Sequence, residues 1–480
     1  MLQGNVCRSL AHTIFVVSFI LFTGCVVLHY YVDRIHGAVI ARFFTLVPDS
    51  LVFESFSGND TALNTSLYLY NLTNEHAVLN GAKPVFTEVG PFRYKKQTFK
   101  SDMKFSDESP PKYLQYKEKT NYFEIHDEMS VNPFVGKVTS LDIFTAALVL
   151  QGFSVLTRTF LVAAKPFVTA TPQEIIWGYT HGNIESCYFY GQCPSDKVSV
   201  FVGENGTSEN EFVIKTGVDD INELGKVVKF NGQSVLNVWK SEYANYINGS
   251  DGFSLGPGLT VGSQRYLFAH GACRSVMMEA MKEVPHPAYP ELKVLLFEPA
   301  SEDKMDHSVY PSPQEFCQGQ SYEPKCAPKG FVALSPCLKN NSYLPIYGSQ
   351  GHFIGADHSI RNRFHGIPEP DYNLDRTYML VDPVTGITLG AHQVLQLNYY
   401  IDNPSLKSLP YQNMAGNLFF PIMRIVMDVS ADVDALKTIH TLVHGSKYWI
   451  NIAIYIFGGL CLVAFFATMA IILKMNRNRS

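Results

Sequence analysis

Two long stretches without charge, one near each end, constrain the fold of this chain more than any other feature. No Asp, Glu, Lys or Arg lies between Arg8 and Asp33, and none occurs from Tyr448 to Leu473. A membrane-spanning helix needs about 20 apolar residues, so each stretch is long enough to cross a bilayer. We therefore predict transmembrane helices at residues 9–30 and 448–473. We interpret the first as a retained anchor rather than a cleaved signal peptide, because its apolar run is longer than that of a typical signal peptide.

The flanking charges predict the orientation of the chain. Arg8 precedes the first predicted span, and three basic residues and no acidic residue follow the second. Because basic residues favour the cytosolic side, both tails, residues 1–8 and 474–480, are predicted to be cytosolic. Residues 31–447 then form one lumenal or extracellular domain.

N-glycosylation sequons support this orientation. Six N-x-S/T sequons lie between the two spans, on the side where glycosylation takes place. They begin at Asn59, Asn64, Asn71, Asn205, Asn248 and Asn340.

Six of the nine cysteines lie in the outer domain, namely Cys187, Cys193, Cys273, Cys317, Cys326 and Cys337. An even number in an oxidising compartment favours three disulfides, whose connectivity the spacing leaves open. A zinc site is disfavoured because no Cys-x-x-Cys pair occurs. Cys7, next to the membrane, is a palmitoylation candidate, with a free cytosolic thiol as the equal alternative.

Composition and motifs argue against several classes of function. The net charge of −5 gives no basic surface for nucleic acid, and no metal-binding or cofactor-binding motif occurs. Gly252-Phe253-Ser254-Leu255-Gly256 matches the nucleophile elbow of serine hydrolases, but Pro257 and Gly258 oppose the helix that this motif requires. We therefore predict no catalytic residue, no cofactor and no enzymatic activity.

Histidines occur at three positions of a loop-like segment, His352, His358 and His365. We interpret them as surface or hydrogen-bonding residues. In an acidic compartment, some could act as pH sensors.

Strand patterns dominate the outer domain. Ser66–Leu72 alternates polar and apolar residues, and Val85–Tyr94 reads as a strand broken by a turn at Gly90-Pro91. A hairpin is predicted from Arg376–Val381 and Ile387–Tyr400, because Asp-Pro-Val-Thr-Gly between them has turn chemistry.

Residues 140–186 have a helical pattern instead. Thr171-Pro172-Gln173-Glu174 is a capping box with proline at the first helical position, so a helix is predicted to begin there. We favour core packing over a partner-facing surface for the apolar stripe of this segment.

In its order of motifs the chain resembles the class B scavenger receptor family over nearly its whole length. The matching blocks are Lys83-Pro84, Glu88–Tyr94, Glu174–Tyr179, Thr216–Ile221, Ile247–Gly252, Ala272–Ser275 and Val381–Ile387. The resemblance implies an α+β fold: an irregular antiparallel β-barrel ectodomain with a helical apex bundle at residues 140–186, flanked by the two transmembrane helices. It also implies an apolar tunnel from the apex toward the bilayer.

The resemblance also implies two disulfides, Cys273–Cys337 and Cys317–Cys326. A further bridge of some members falls here on Ala244 and Glu315, so both of its cysteines are absent together. The two remaining cysteines, Cys187 and Cys193, are predicted to pair with each other.

The family's function is expected to carry over with two changes. Some members place a basic cluster on the apex, and only Arg158 and Lys165 remain here as ligand-binding candidates. A strong preference for binding anionic particles is therefore not expected. The C-terminal tail lacks the acidic dileucine signal of the lysosomal member, so the plasma membrane is the expected location, with endosomes or lysosomes as the alternative.

We thus expect a non-enzymatic receptor that binds fatty acids, sterols, phospholipids or lipoprotein particles and transfers lipid to the membrane. The first alternative is a sorting or endocytic receptor for a protein cargo bound at the apex. The others are a two-span channel subunit, which the few polar residues of the second span disfavour, and a lipid hydrolase acting through Ser254.

Overall fold

The structure, a computed structural model, describes residues 2–58, 62–150, 165–191, 195–199, 201–206, 209–301, 311, 313–316, 327–337, 345–401 and 413–477. Within these residues it shows a nearly closed antiparallel sheet and a long apolar helix at each end. The predicted α+β fold class is confirmed.

The helices are α1 (Leu2–Phe43), α2 (Leu51–Ser57), α3 (Glu75–Val78), α4 (Ile143–Leu150), α5 (Pro172–Trp177), α6 (Gly182–Phe189), α7 (His358–Arg361), α8 (Val433–Ile439) and α9 (Ser446–Arg477). The strands are β1 (Ala62–Leu72), β2 (Phe86–Phe105), β3 (Tyr113–Glu124), β4 (Val138–Leu141), β5 (Phe167–Ala170), β6 (Glu209–Lys215), β7 (Val227–Phe230), β8 (Gln264–Ala269), β9 (Arg274–His286), β10 (Tyr289–Pro299), β11 (Phe331–Ala333), β12 (Ile346–Ser349), β13 (Tyr378–Val381), β14 (Thr388–Ile401) and β15 (Leu418–Ser430).

The terminal helices α1 and α9 pack side by side. The rings of Phe15 and Phe465 stack with centroids 4.5 Å apart. Beyond the apolar part, Lys447 forms an ion pair with Asp33 at 3.0 Å. Both helices contain the predicted spans and are long and apolar enough to cross a membrane. Both helices are longer than the predicted spans. The spans were bounded by the nearest charged residues, which indicate where the bilayer ends and not where the helix ends.

One antiparallel sheet contains thirteen of the described strands, in the order β7-β6-β3-β2-β1-β15-β14-β13-β10-β9-β8, and β12 adds β11 beside β14. The first and last strands of the barrel, β1 and β15, are neighbours, with Leu67 opposite Ile425. The two membrane helices therefore leave the barrel from adjoining parts of the sheet.

Residues 249–250 join the two edges of this sheet. The amide of Val227 in β7 donates to the carbonyl of Gly249 at 2.9 Å, and the amide of Phe268 in β8 donates to the carbonyl of Ser250 at 2.9 Å. Gly249 has φ +112°, and a Cβ there would lie 2.5 Å from the carbonyl carbon of Tyr266. Only glycine fits this backbone approach, so the closure of the barrel depends on it.

The predicted helical segment at residues 140–186 is wrong in part. A hairpin of β4 and β5 contributes Val138–Leu141 and Phe167–Ala170, and α4 follows β4. The second strand contains the β-branched Val168 and Thr169 between prolines 166 and 172, which favours extended backbone. Residues 151–164 lie outside the described residues.

The predicted helix start at Thr171 is confirmed. The Thr171 hydroxyl accepts from the amide of Glu174 at 3.3 Å, and the amide of Thr171 donates to the Glu174 carboxylate at 2.8 Å. This reciprocal pair begins α5 and orients the helix against the barrel.

The β13–β14 hairpin and the strand at Ser66–Leu72 are also confirmed. The predicted break at Gly90-Pro91 is wrong, because β2 runs through it. Leu67 lies opposite Phe92 but Leu69 lies opposite Val89, so the Gly-Pro pair is absorbed as a bulge.

Candidate functional site

Alternation along β3 separates the inside of the barrel from the outside. Lys117 pairs with the exposed Asp102 at 3.1 Å and lines an open surface depression. Its neighbour Tyr116 is fully buried. Since successive strand side chains point to opposite faces, Tyr116 and Glu118 face the interior.

Two lysines of β2 share this interior face. Residues directly opposite in antiparallel strands lie on the same side of the sheet. Glu118 is opposite Lys100, and Tyr122 is opposite Lys96, which is in turn opposite Leu63 of β1. The interior therefore contains a charged side formed by β2 and β3.

The facing side of the interior is apolar. The same pairing rule places one set of side chains from β1, β14 and β15 on the inner face: Leu67, Leu69, Leu395, Leu397, Met423, Ile425 and Met427. Most are buried, but Leu395 stays partly exposed and Gln393, on the same face, is exposed. The interior thus combines a charged side with a hydrocarbon-like wall.

The short helix α2 closes the membrane-facing end. Phe56 is 1% exposed and packs its ring 5.2 Å from that of Tyr116. The Lys100 ammonium lies 4.0 Å from the Phe56 ring centroid and donates to the Phe56 carbonyl at 3.0 Å. Between α1 and α2, the amide of the buried Leu46 donates to the carbonyl of Thr216 at 2.8 Å. The chain therefore leads from the first membrane helix directly into the barrel.

Four aromatic residues connect the barrel to α5, which begins in the predicted apical segment. Trp177 of α5 packs 5.3 Å from both Tyr94 and Tyr122, and 5.6 Å from Phe201. The Trp177 indole donates to the Tyr94 hydroxyl at 3.1 Å. Burial raises the pKa of Tyr94 to about 12, so its hydroxyl stays neutral. We call these four side chains the apical aromatic cluster.

A buried ionic cluster lies on the opposite, outer face of β2 and β15. Arg424 donates from Nε and one terminal nitrogen to the two oxygens of Glu88, at 2.9 and 3.0 Å. His352 places one ring nitrogen 2.8 Å from Asp375 and the other 3.2 Å from Glu88. The cluster attaches the segment containing His352 and Asp375 to the barrel wall.

The charges of this cluster reinforce one another. Burial alone would lower the pKa of His352, but hydrogen bonds to Asp375 and Glu88 outweigh it and raise that pKa. Burial alone would raise the pKa of Glu88, but hydrogen bonds from His352 and Arg424 lower it. Two positive groups thus face two carboxylates. His352 is hydrogen-bonded as predicted, whereas His358 and His365 are exposed.

The predicted apical ligand residues are only partly described. Lys165 is exposed, and Arg158 lies outside the described residues. Sequence reasoning missed the end of α6, where Tyr188, Phe189 and Tyr190 are 51%, 82% and 70% exposed. Three consecutive aromatic residues beside a cysteine were the available signal. The structure thus adds an exposed aromatic surface at the end of α6.

The nucleophile-elbow motif has no catalytic geometry. Ser254 is fully buried, and its hydroxyl accepts from the amide of Gly256 at 3.1 Å. No helix lies between Ser254 and β8, and the backbone of Ser254 instead forms an isolated antiparallel β-bridge with Ile387. A serine hydrolase acting through Ser254 is therefore rejected.

One predicted disulfide lies within the described residues, where Cys273 and Cys337 are bonded. Cys187 is also disulfide-bonded, while its predicted partner Cys193 lies outside the described residues, as do Cys317 and Cys326. Cys7 lies in α1.

The two positions of the further family disulfide, Ala244 and Glu315 in this chain, can be located in the structure. Residues 243–245 contact residues 313–316, and Ala244 belongs to the same apolar cluster as Phe316. Ala244 and Glu315 therefore lie on neighbouring segments, as a former cysteine pair requires.

The sequons differ in accessibility. Asn64 and Asn205 are exposed, whereas Asn71 and Asn248 are half-buried. The side-chain Oδ1 of Asn71 accepts from the backbone amide of Thr139 at 2.8 Å. Asn59 and Asn340 lie outside the described residues.

The fold and site define a two-span membrane protein with a β-barrel held between its spans and an amphipathic barrel interior. The model of the CD36 family matches residues 14–472, so this chain belongs to that family.

Known relatives agree with the match. The chain is 26% identical to scavenger receptor class B member 1 of Sus scrofa over 403 residues, which cover 82% of this chain and 76% of that protein. It is 25% identical to lysosome membrane protein 2 of Homo sapiens over 406 residues, covering 83% and 81%. It is 27% identical to scavenger receptor class B member 1 of Rattus norvegicus over 427 residues, covering 86% and 79%. The resemblance to class B scavenger receptors seen in the sequence motifs is confirmed.

Proposed function

We propose that this chain is a cell-surface receptor that binds lipids or lipoprotein particles and passes lipid through the barrel interior to the membrane. The observation that carries the proposal is the apolar inner wall of β1, β14 and β15, which packs against the apical aromatic cluster. Because α2 follows directly after the first membrane helix, lipid leaving the barrel emerges beside the bilayer.

The hydrophobic effect favours movement of a lipid tail along the barrel interior, and this movement needs no catalytic group. Each CH₂ of a lipid tail gains about 0.8 kcal/mol on leaving water for an apolar wall. A tail that moves along side chains such as Leu67, Leu395 and Met423 stays out of water between donor particle and bilayer. We therefore assign transfer, and no reaction, to the barrel.

Blocking the interior tests the proposal. Thr98 lies opposite Thr120 on the inner face, and Gln97 is its neighbour on the outer face. We expect Thr98→Trp to reduce uptake of a fluorescent sterol ester several-fold at equal surface expression, while Gln97→Trp leaves uptake unchanged. Normal uptake by a well-folded Thr98→Trp variant would reject transfer through the interior.

Exposed aromatic residues favour a second candidate, a sorting or endocytic receptor for a protein cargo. Phe189 and Tyr190 extend from the apical segment, which also carries the exposed Lys165. Under this alternative, Phe189→Ser with Tyr190→Ser abolishes cargo delivery and Thr98→Trp has no effect on it. Under lipid transfer, Thr98→Trp is the damaging change.

A further inference from the structure

Lys96 is a cation on the inner face of the barrel. Its ammonium contacts the sulfur of Met427 at 3.9 Å, and within the described residues it forms no ion pair. Burial lowers the pKa of Lys96, and the carboxylates of Glu118 and Glu204 oppose that shift. An ammonium held in a low-dielectric interior is destabilised unless an anion approaches it.

The second interior lysine does not share this property. Lys100 donates to the Phe56 carbonyl and lies over the Phe56 ring, so the barrel already uses it to hold α2. Glu118 lies directly opposite Lys100 and not opposite Lys96. Of the two interior lysines of β2, Lys96 is therefore the one available to a ligand.

Lys96 also lies where charged and apolar surfaces meet. It is opposite Leu63 on one side and Tyr122 on the other, and it touches Met427, a member of the apolar row of β15. A ligand whose anionic head contacts Lys96 can place its tail along that row. This is the arrangement that an anionic lipid requires, with one charge at the end of a hydrocarbon chain.

We propose that Lys96 binds the anionic head of a lipid inside the barrel, a carboxylate or a phosphate, and so makes the interior select anionic over neutral lipids. The inference rests on the proposed function, since it assumes that lipid enters the barrel. A neutral lipid leaves the ammonium unpaired, whereas an anion forms a charge-assisted hydrogen bond with it.

The test measures binding of three probes with the same hydrocarbon chain to the purified full chain in phosphatidylcholine nanodiscs. The probes are oleate, oleoyl lysophosphatidic acid and oleyl alcohol. Lys96→Met should weaken oleate binding by about tenfold or more, the usual effect of losing a hydrogen bond to a charged group, and leave oleyl alcohol unchanged. Lys96→Arg should retain oleate, and Lys95→Met, an exposed neighbour on the outer face, should behave like the unaltered chain.

Each outcome decides between the two proposals. Equal loss of oleate and lysophosphatidic acid assigns the site to anionic heads in general, and loss of oleate alone assigns it to carboxylates. Unchanged oleate affinity in Lys96→Met overturns the role of Lys96 but leaves lipid transfer intact. No saturable binding of any probe to the unaltered chain overturns the proposed function itself.

A second variant covers a failure of Lys96→Met to fold. Glu118→Gln removes a carboxylate near Lys96 and should tighten oleate binding without affecting oleyl alcohol. Unchanged or weaker oleate binding in this variant contradicts the proposal.

Discussion

Arg424 and Glu88, 336 positions apart in the chain, form a bidentate ion pair with N–O distances of 2.9 and 3.0 Å. Both side chains are largely buried, at 9% and 15% exposure. Removing one member of a buried pair leaves the other charge uncompensated, which costs about 3–5 kcal/mol. We expect Arg424→Met to lower the free energy of unfolding by that amount in urea denaturation. The more exposed pair of Arg93 with Asp127 is the control, and Arg93→Met should cost only about 0–1 kcal/mol.

The same cluster predicts a pH dependence. The raised pKa of His352 gives stability that is full below its ordinary value of 6.5 and is lost as pH rises through the folded-state value. The lowered pKa of Glu88 gives stability that is present above 4.5 and is lost as pH falls through its folded-state value. Both contributions are therefore complete between pH 4.5 and 6.5.

The measurement is the difference in free energy of unfolding between the unaltered chain and His352→Gln, followed from that range into alkaline pH. We expect the difference to be largest below pH 6.5 and to shrink toward alkaline pH. A difference that grows as the pH rises would show that His352 is neutral in the folded protein.

Barrel closure at Gly249 gives a third prediction. A side chain there meets the backbone of Tyr266 and must also adopt φ +112°. We expect Gly249→Ala to lower the free energy of unfolding by about 3 kcal/mol or more, since backbone strain and a clash combine. Gly232→Ala is the control, because Gly232 has φ +79° but open space around it. This variant measures the cost of the backbone conformation without a clash and should lower the free energy of unfolding by about 1 kcal/mol. Equal thermal shifts for the two variants would contradict a role in closure.

The Cys273–Cys337 disulfide encloses a loop with a sequence separation of 64. Chain-entropy arguments assign such a loop about 4 kcal/mol of stabilisation. Replacing both cysteines with serine should reduce stability by that order in thermal unfolding. Non-reducing peptide mapping of the unaltered chain should also recover Cys187–Cys193 and Cys317–Cys326, and a free thiol at any of these positions would remove that predicted pair.

Glycan occupancy should follow exposure. Asn64→Gln and Asn205→Gln remove accessible sequons, so each should increase gel mobility as one glycan is lost. Asn71 and Asn248 are half-buried, so we expect incomplete occupancy there. Full occupancy at Asn71 with none at Asn64 would show that folding does not limit modification.

Local chemistry in the sequence predicted much of the fold. Charge gaps located the membrane helices, the capping box at Thr171 located the start of α5, and the turn after Val381 located a hairpin. Each of these signals lies within one continuous stretch of the chain. The break at Gly90-Pro91 was predicted wrongly, because a turn and a bulge require the same residues and only the pairing with β1 distinguishes them.

The candidate site was largely invisible in the sequence because its parts are distant in the chain. His352 and Glu88 are 264 positions apart, and the contact of Lys96 with Met427 spans 331 positions. Strand register decides that Lys96 points inward and Lys95 outward. A shift of one residue would exchange them, and a single sequence does not reveal that register.

The adjacency of β1 and β15 has a consequence for release of the outer domain by proteases. Cleavage between α1 and β1 leaves the barrel attached through α9, and cleavage after β15 leaves it attached through α1. Because the two strands remain hydrogen-bonded along Asn64–Leu69, even a chain cut once keeps its sheet intact. A soluble form of the outer domain therefore requires two separate cuts, one between α1 and β1 and one between β15 and α9.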